Sequence, residues 1–295
     1  MTRRTKVILA VAAATPFALW LAVSCVGVYL IVMPGHAQFP DRETIDGHAV
    51  LPVSIPTPDG LTLSAWCVPQ DPNKAVILLA GMTADRRYCI GHAQCYLELG
   101  YTVLLPDLRG TGKSGGNLVT LGWHERKDLA ACYDYLREVG YRHVGADGVS
   151  LGAATICYAL SEVDDFAFIV IESSYDTLKT AFNNRVTMYG GPTWFAAPAR
   201  ALFKLFAIGA GAGPIDFMAQ CTAPALILSG DAEGVIKVSE TRALFERCGS
   251  GLKRMYLFKG AGHVNFARRY ADEYRRELEA FLDQAAAAWD DGEAK

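Results

Sequence analysis

Three observations predict an α/β fold with a mostly parallel sheet. Strand-like apolar runs alternate with helix-length segments from about residue 50 onward, the order that parallel strands with crossover helices produce. One run, HVGADGV, passes directly into a glycine-flanked turn and an apolar helix start. A separate apolar segment of helical length precedes the whole series.

That first segment, Val7 to Met33, holds 27 residues without a charge, and a helix needs about 20 to cross a bilayer core. Arg3, Arg4 and Lys6 precede it, so the short tail is expected in the cytoplasm and the body across the membrane, on the extracytoplasmic side. Two processing sites compete with an anchor. Ala22-Val23-Ser24-Cys25 resembles a lipoprotein site, but the apolar run continues beyond Cys25. Gly35-His36-Ala37 resembles a signal-peptidase site, but a signal peptide's apolar region is only about 7–15 residues long. An uncleaved anchor is the expectation. The polar connector PGHAQFPDRETIDGH follows, and the stretch from Met33 to Val50 reaches at most roughly 60 Å when extended. Residues 1–37 are therefore read as tail, anchor and start of connector, and 38–295 as the folded body.

Hairpin strands are expected at 50–55 and 61–68 around the turn PTPDG, then strands at 75–80, 102–106, 144–149, 166–172, 224–229 and 253–258. Helices are expected around 85–99, 124–139, 151–161, 236–248 and 266–288. The stretch 177–216 breaks the rhythm with aromatics, glycines and prolines between two strands. An insertion of that size is expected to form a cap over a site, with Trp194, Phe195, Leu202, Phe203, Leu205 and Phe206 lining its pocket, dipping into lipid or packing on the body.

Composition excludes some classes. Half the residues are hydrophobic and 20% charged, so the chain buries a core instead of remaining disordered. Without its first 40 residues it carries 25 basic and 31 acidic residues, which argues against nucleic acid as a main partner. Cys25 lies in the apolar segment, and the other seven cysteines form no C-x-x-C pair and no zinc spacing. Cys89 and Cys95 on one helix would stand about 9 Å apart along its axis, too far for a disulfide.

Two segments carry the pattern G-x-S-x-G. In PDLRGTGKSGG, Gly112-Lys113-Ser114 also ends like a phosphate loop, but the first glycine of that loop is replaced by Asp107. Its strand ends near Pro106 and no helix follows, so Ser114 lacks the setting of a nucleophile. Gly148-Val149-Ser150-Leu151-Gly152 has it: strand, sharp turn, then a helix opening with Ala153 and Ala154. A hydroxyl needs a base in reach, itself held by an acid. His263 is the one histidine after Ser150, in the loop GAGHVNF behind the final strand. Asp231, Glu233 and Asp176 follow strands and are the candidate acids.

The segments VILLAGM, LLPDLRGTGKSGG, GWHERKDLAACYDYL, DGVSLGAATICYAL, IVIESSYDTL, ALILSGDAEGVI and GAGHVNF, in this order, resemble the α/β-hydrolase superfamily, in particular bacterial hydrolases with a short helical cap. The resemblance covers about residues 50–285 and implies an eight-stranded, mostly parallel sheet. It implies Ser150 as nucleophile and His263 as base. The acid of such proteins commonly lies three residues beyond a glycine, which here selects Glu233 in place of the usual Asp, with Asp231 next. The resemblance also implies an oxyanion hole from the backbone N–H groups of Met82 and Leu151, although Ala80 replaces the histidine usual before Gly81. No metal or organic cofactor is expected. The expected substrate is a small-molecule or lipid ester, with a peptidase of the same fold, or a non-catalytic tethered binding protein, as alternatives. In the loop after the strand at 102–106, Asp107 and Arg109 are expected to brace the backbone.

Overall fold

The computed structural model describes residues 1–206 and 211–293. Residues 207–210, within the expected cap, and 294–295 in the tail lie outside the described residues, as does the side chain of Phe206.

The apolar segment forms one long helix, α1 (Arg3–Val32). Two short strands, β1 (Thr44–Ile45) and β2 (His48–Ala49), pair antiparallel in the connector. The main sheet contains β3 (Leu51–Pro56), β4 (Thr62–Val68), β5 (Lys74–Leu79), β6 (Thr102–Pro106), β7 (His143–Val149), β8 (Ile169–Glu172), β9 (Ala225–Gly230) and β10 (Lys253–Phe258). Their order is β3-β4-β6-β5-β7-β8-β9-β10. Only β4 runs against its neighbours; the strands from β6 to β10 are parallel. The order reverses around β5, and crevices at such a reversal are where open α/β sheets bind ligands.

Strand periodicity divides the core between the two faces. Ile77, Leu79, Ile169, Ile171 and Ile227 face one side, with Leu129 and Leu136 of α3 (Arg126–Glu138) and with α4 (Leu151–Ala159). Val76, Leu78, Val170, Leu226 and Leu228 face the other side, with Tyr96 of α2 (Ile90–Glu98) and Leu278 and Phe281 of the C-terminal helix. Between β8 and β9 lie α5 (Leu178–Met188), α6 (Ala197–Phe206) and α7 (Pro214–Phe217), and α8 (Val238–Arg247) follows β9.

Two sequence expectations need correction. The helix expected over 266–288 is two helices, α9 (Phe266–Arg269) and α10 (Ala271–Glu293). Tyr270 leaves the helical conformation at φ −129° and ψ 43°, and its ring lies 5.5 Å from that of Phe258. The connector, expected to reach as a tether, packs on the body instead. Val28 and Val32 at the end of α1 are buried in the first core, and Phe39 in the second. Ala37 N–H donates to the Gly112 carbonyl at 3.2 Å, and Lys113 pairs with Asp41 at 2.8 Å. Burying these apolar side chains outweighs the freedom of a loose linker.

Candidate active site

Ser150 stands alone between β7 and α4 with φ 55° and ψ −103°, a strained conformation that costs a residue with a side chain about 1–3 kcal/mol. Its N–H donates to the Glu172 carbonyl at 2.8 Å and its own carbonyl accepts from Ala154 N–H at 3.0 Å. Both flanking glycines are sterically required. A Cβ on Gly148 would stand 2.4 Å from the Gly152 carbonyl carbon, and one on Gly152 would stand 2.4 Å from the Leu79 oxygen. A side chain at either position would push α4 off the sheet.

Leu79 ends β5, and the chain beyond it runs beside the elbow: a Cβ on Gly81 would lie 3.5 Å from Ser150 Cβ. Met82, Ser150 and His263 line one cavity of about 440 Å³, together with Tyr88 and Val235. The inserted segment adds Arg185, Met188 and Tyr189. Leu151 is the first residue of α4, where backbone N–H groups and the helix dipole favour negative charge.

His263 follows β10 and its side chain is 31% exposed, whereas that of Glu233 is fully buried. The imidazole Nδ1 bonds Glu233 Oε1. The other carboxylate oxygen accepts from Ser173 Oγ at 2.8 Å and from Ser229 Oγ at 3.1 Å. Engaging Nδ1 leaves Nε2 as the nitrogen that can take a proton. Asp231 is exposed and accepts from Gly260 N–H at 2.6 Å. Asp176 accepts from Thr180 Oγ1 beside the start of α5. Of the three candidate acids, Glu233 is the one in contact with His263.

The other G-x-S-x-G serine is 2% exposed. Ser114 Oγ donates to the Asp107 carbonyl at 2.6 Å and accepts from Ser64 N–H at 2.9 Å. Asp107 binds Arg86 N–H, the Arg86 guanidinium and Lys113 N–H. Arg109 bridges Asp128 and Asp59. Both side chains brace the loop.

Behind the elbow is a buried polar cluster that the sequence reading did not single out. Tyr274 OH lies 2.7 Å from Asp147 Oδ2 and 2.9 Å from Glu172 Oε1. Tyr96 OH donates to Asp147 at 3.0 Å, and His92 Nε2 is 3.1 Å from Glu172. Burial pushes Glu172 up to about 7 and Asp147 well above the usual carboxylate range. Burial also holds His92 below its ordinary value. Burial and the closeness of the two carboxyl groups keep a proton on this pair near neutrality.

Ser173, Ser229 and Arg185 also escaped the sequence reading. Ser173 and Ser229 had a weak signal, since strand ends on this side of a parallel sheet carry site residues. Arg185 had none: its helix belongs to the insertion, whose docking depends on contacts distant in sequence.

Residues 43–202 match the family described as X-Pro dipeptidyl-peptidase (S15 family); the match contains Ser150 and ends before Glu233 and His263. The Bacillus subtilis protein YqkD, described as uncharacterized, is 26% identical over 84% of this chain and 83% of its own. A Pyrococcus furiosus esterase superposes with a TM-score of 0.73 and 25% identity, covering 85% of this chain and 98% of that one. A membrane phospholipase A described as a bacterial virulence factor shares the fold with a TM-score of 0.61, 16% identity and 96% coverage of each chain. An eight-stranded sheet with this elbow at its reversal is the α/β-hydrolase fold, and with the match spanning more than half its length the chain belongs to the X-Pro dipeptidyl-peptidase (S15) family of hydrolases.

Proposed function

We propose that the chain is a membrane-anchored serine hydrolase that cleaves an ester-type acyl bond. The observation that carries this reading is the buried Glu233, clasped by two serine hydroxyls and bonded to His263, whose ring shares a cavity with Ser150. Ser150 Oγ attacks the acyl carbonyl while His263 Nε2 takes its proton. Glu233 holds the imidazole at Nδ1 and offsets the cation that forms. The Met82 and Leu151 N–H groups bind the oxyanion, each such donor contributing about 2.7–4 kcal/mol at the transition state. His263 returns the proton to the leaving alcohol, then activates water to release the acid and restore Ser150.

The family match also supports a peptidase reading. An exopeptidase that grips a free N-terminus needs an anion to pair with the ammonium. The described residues lining the cavity include Arg185 and no carboxylate, which favours neutral or anionic esters. A helix of mean hydropathy 2.1 over its most apolar window, with only 6% of that window buried, supports α1 as the anchor. The basic residues before it support a body on the extracytoplasmic side, with the boundary near residue 37. A fluorophosphonate probe should label wild type and not Ser150→Ala, and a panel of esters and X-Pro amides on the full chain should be turned over with esters ahead. Absence of labelling on folded wild type would overturn the catalytic reading.

A further inference from the structure

The contact between the anchor and the cap is deeper along α1 than a surface domain allows. Trp20 Nε1 donates to the Phe195 carbonyl at 2.9 Å. Its ring meets Trp194 edge-on with centroids 5.4 Å apart, and lies 5.5 Å from Phe195. A bilayer core takes up about 20 helical residues, so a span beginning just after Lys6 ends near Val26. Trp20 is then about six residues, or roughly 9 Å, inside the far boundary. Tilting α1 would lengthen the span and move this contact deeper still.

The cap surface suits that depth. Trp194 is 60% exposed, Phe195 39% and Leu205 73%, costly surfaces to leave in water. Between Pro192 and Leu205 the one exposed charge is Lys204, whose stem can carry its ammonium to the headgroups. Arg200, partly buried, is tied to Asn183 Oδ1 at 2.5 Å. Where the span should end, Cys25, Val28, Tyr29, Val32, Leu118 and Leu202 line an apolar groove of about 400 Å³, a seat for an acyl chain at the boundary.

We infer that the cap segment Thr193–Leu205 is submerged in the acyl region of a bilayer leaflet beside α1. This rests on reading α1 as a membrane span. Amphipathic helices lying in an interface reach a comparable depth, about 5–10 Å. Because α5 lines the Ser150 cavity and leads directly into this segment, the substrate class it favours is an ester carried by the leaflet itself.

The test uses the full chain with Cys25→Ser in lipid nanodiscs of phosphatidylcholine and phosphatidylglycerol. Nitroxide labels are placed singly by Leu205→Cys, Ala197→Cys and, on the anchor, Val11→Cys; fluorophosphonate labelling of Ser150 confirms that each variant is folded. The expected result is that both cap labels relax with dissolved oxygen and lose accessibility to a water-soluble nickel chelate, as the Val11 label does. Cap labels open to the chelate beside a shielded Val11 label would overturn the inference and leave the anchor reading standing. Three open labels would overturn both.

Discussion

Ser114 and Ser150 share the same five-residue pattern 36 positions apart, and their surroundings are opposites. The Ser114 hydroxyl is closed in, giving its proton to one backbone carbonyl and accepting from one backbone N–H. Ser150 faces a cavity from a strained turn, and the His263 imidazole lines the same cavity. A motif supplies the residue; the chain around it decides whether the oxygen is spent on holding a loop. Replacing each serine by alanine is the sharpest way to break this contrast. Ser150→Ala should lower kcat by about 10⁴-fold or more. Ser114→Ala should leave turnover per folded molecule unchanged and lower stability by about 1–3 kcal/mol, because Ser64 N–H loses its acceptor. Equal losses of kcat in the two variants would remove the distinction.

The carboxylates beside the two serines extend the comparison. In the proposed mechanism Glu233 orients His263 and offsets its charge, so Glu233→Gln should lower kcat about 10²–10⁴-fold while thermal unfolding shifts little. Asp231→Asn should leave kcat near wild type, and a large loss there would reassign the acid. Asp107→Ala should do the reverse of Glu233→Gln. It strands the fully buried guanidinium of Arg86, at a cost of about 3–5 kcal/mol in denaturant unfolding, with little change in kcat for the fraction that folds.

These contrasts also mark what was legible in the sequence. Strands and most helices follow local periodicity, and the elbow is a short-range pattern, so both could be read from neighbouring residues. His263 follows from chain order. The spacing from Gly230 that the resemblance implies points to Glu233 ahead of Asp231, but both follow β9 by a few residues and nothing local to them gives the physical reason. What separates them is burial between Ser229 and Ser173, the latter 60 positions away. The break at Tyr270 and the packed connector were hidden for the same reason, since both answer to partners distant in sequence.

The buried acids around the Ser114 loop, Asp107 and Asp128, are paired with arginines, whereas Asp147 and Glu172 behind Ser150 meet tyrosines and a histidine, and they make a pH prediction. Glu172 has a folded pKa of about 7, above its ordinary 4.5. A carboxyl raised on folding favours the native state fully below the unfolded pKa and loses that contribution as pH rises through the folded one. His92, held neutral, acts in the opposite sense in acid. Comparing wild type with Glu172→Gln isolates the first effect. Between pH 5 and 8 the variant should gain about 1–3 kcal/mol on wild type, read as unfolding free energy at each pH. A constant difference across that range would mean that Glu172 does not take up its proton in the folded state.

Arg185 tests the difference between a closed loop and an open site at its smallest scale. Arg109, in the Ser114 loop, is matched by Asp59 and Asp128. Arg185 lines the Ser150 cavity, where one guanidinium nitrogen donates to the Ala181 carbonyl at 2.8 Å and its charge meets no carboxylate among the described lining residues. A cation in that position should bind the anionic part of a substrate in the ground state and transition state alike. Arg185→Met keeps the aliphatic stem and removes the charge, so KM for an anionic ester should rise about tenfold with kcat nearly unchanged. A neutral ester of the same length should show no such rise. If both esters lose kcat equally, Arg185 holds the cap in place and does not read the substrate.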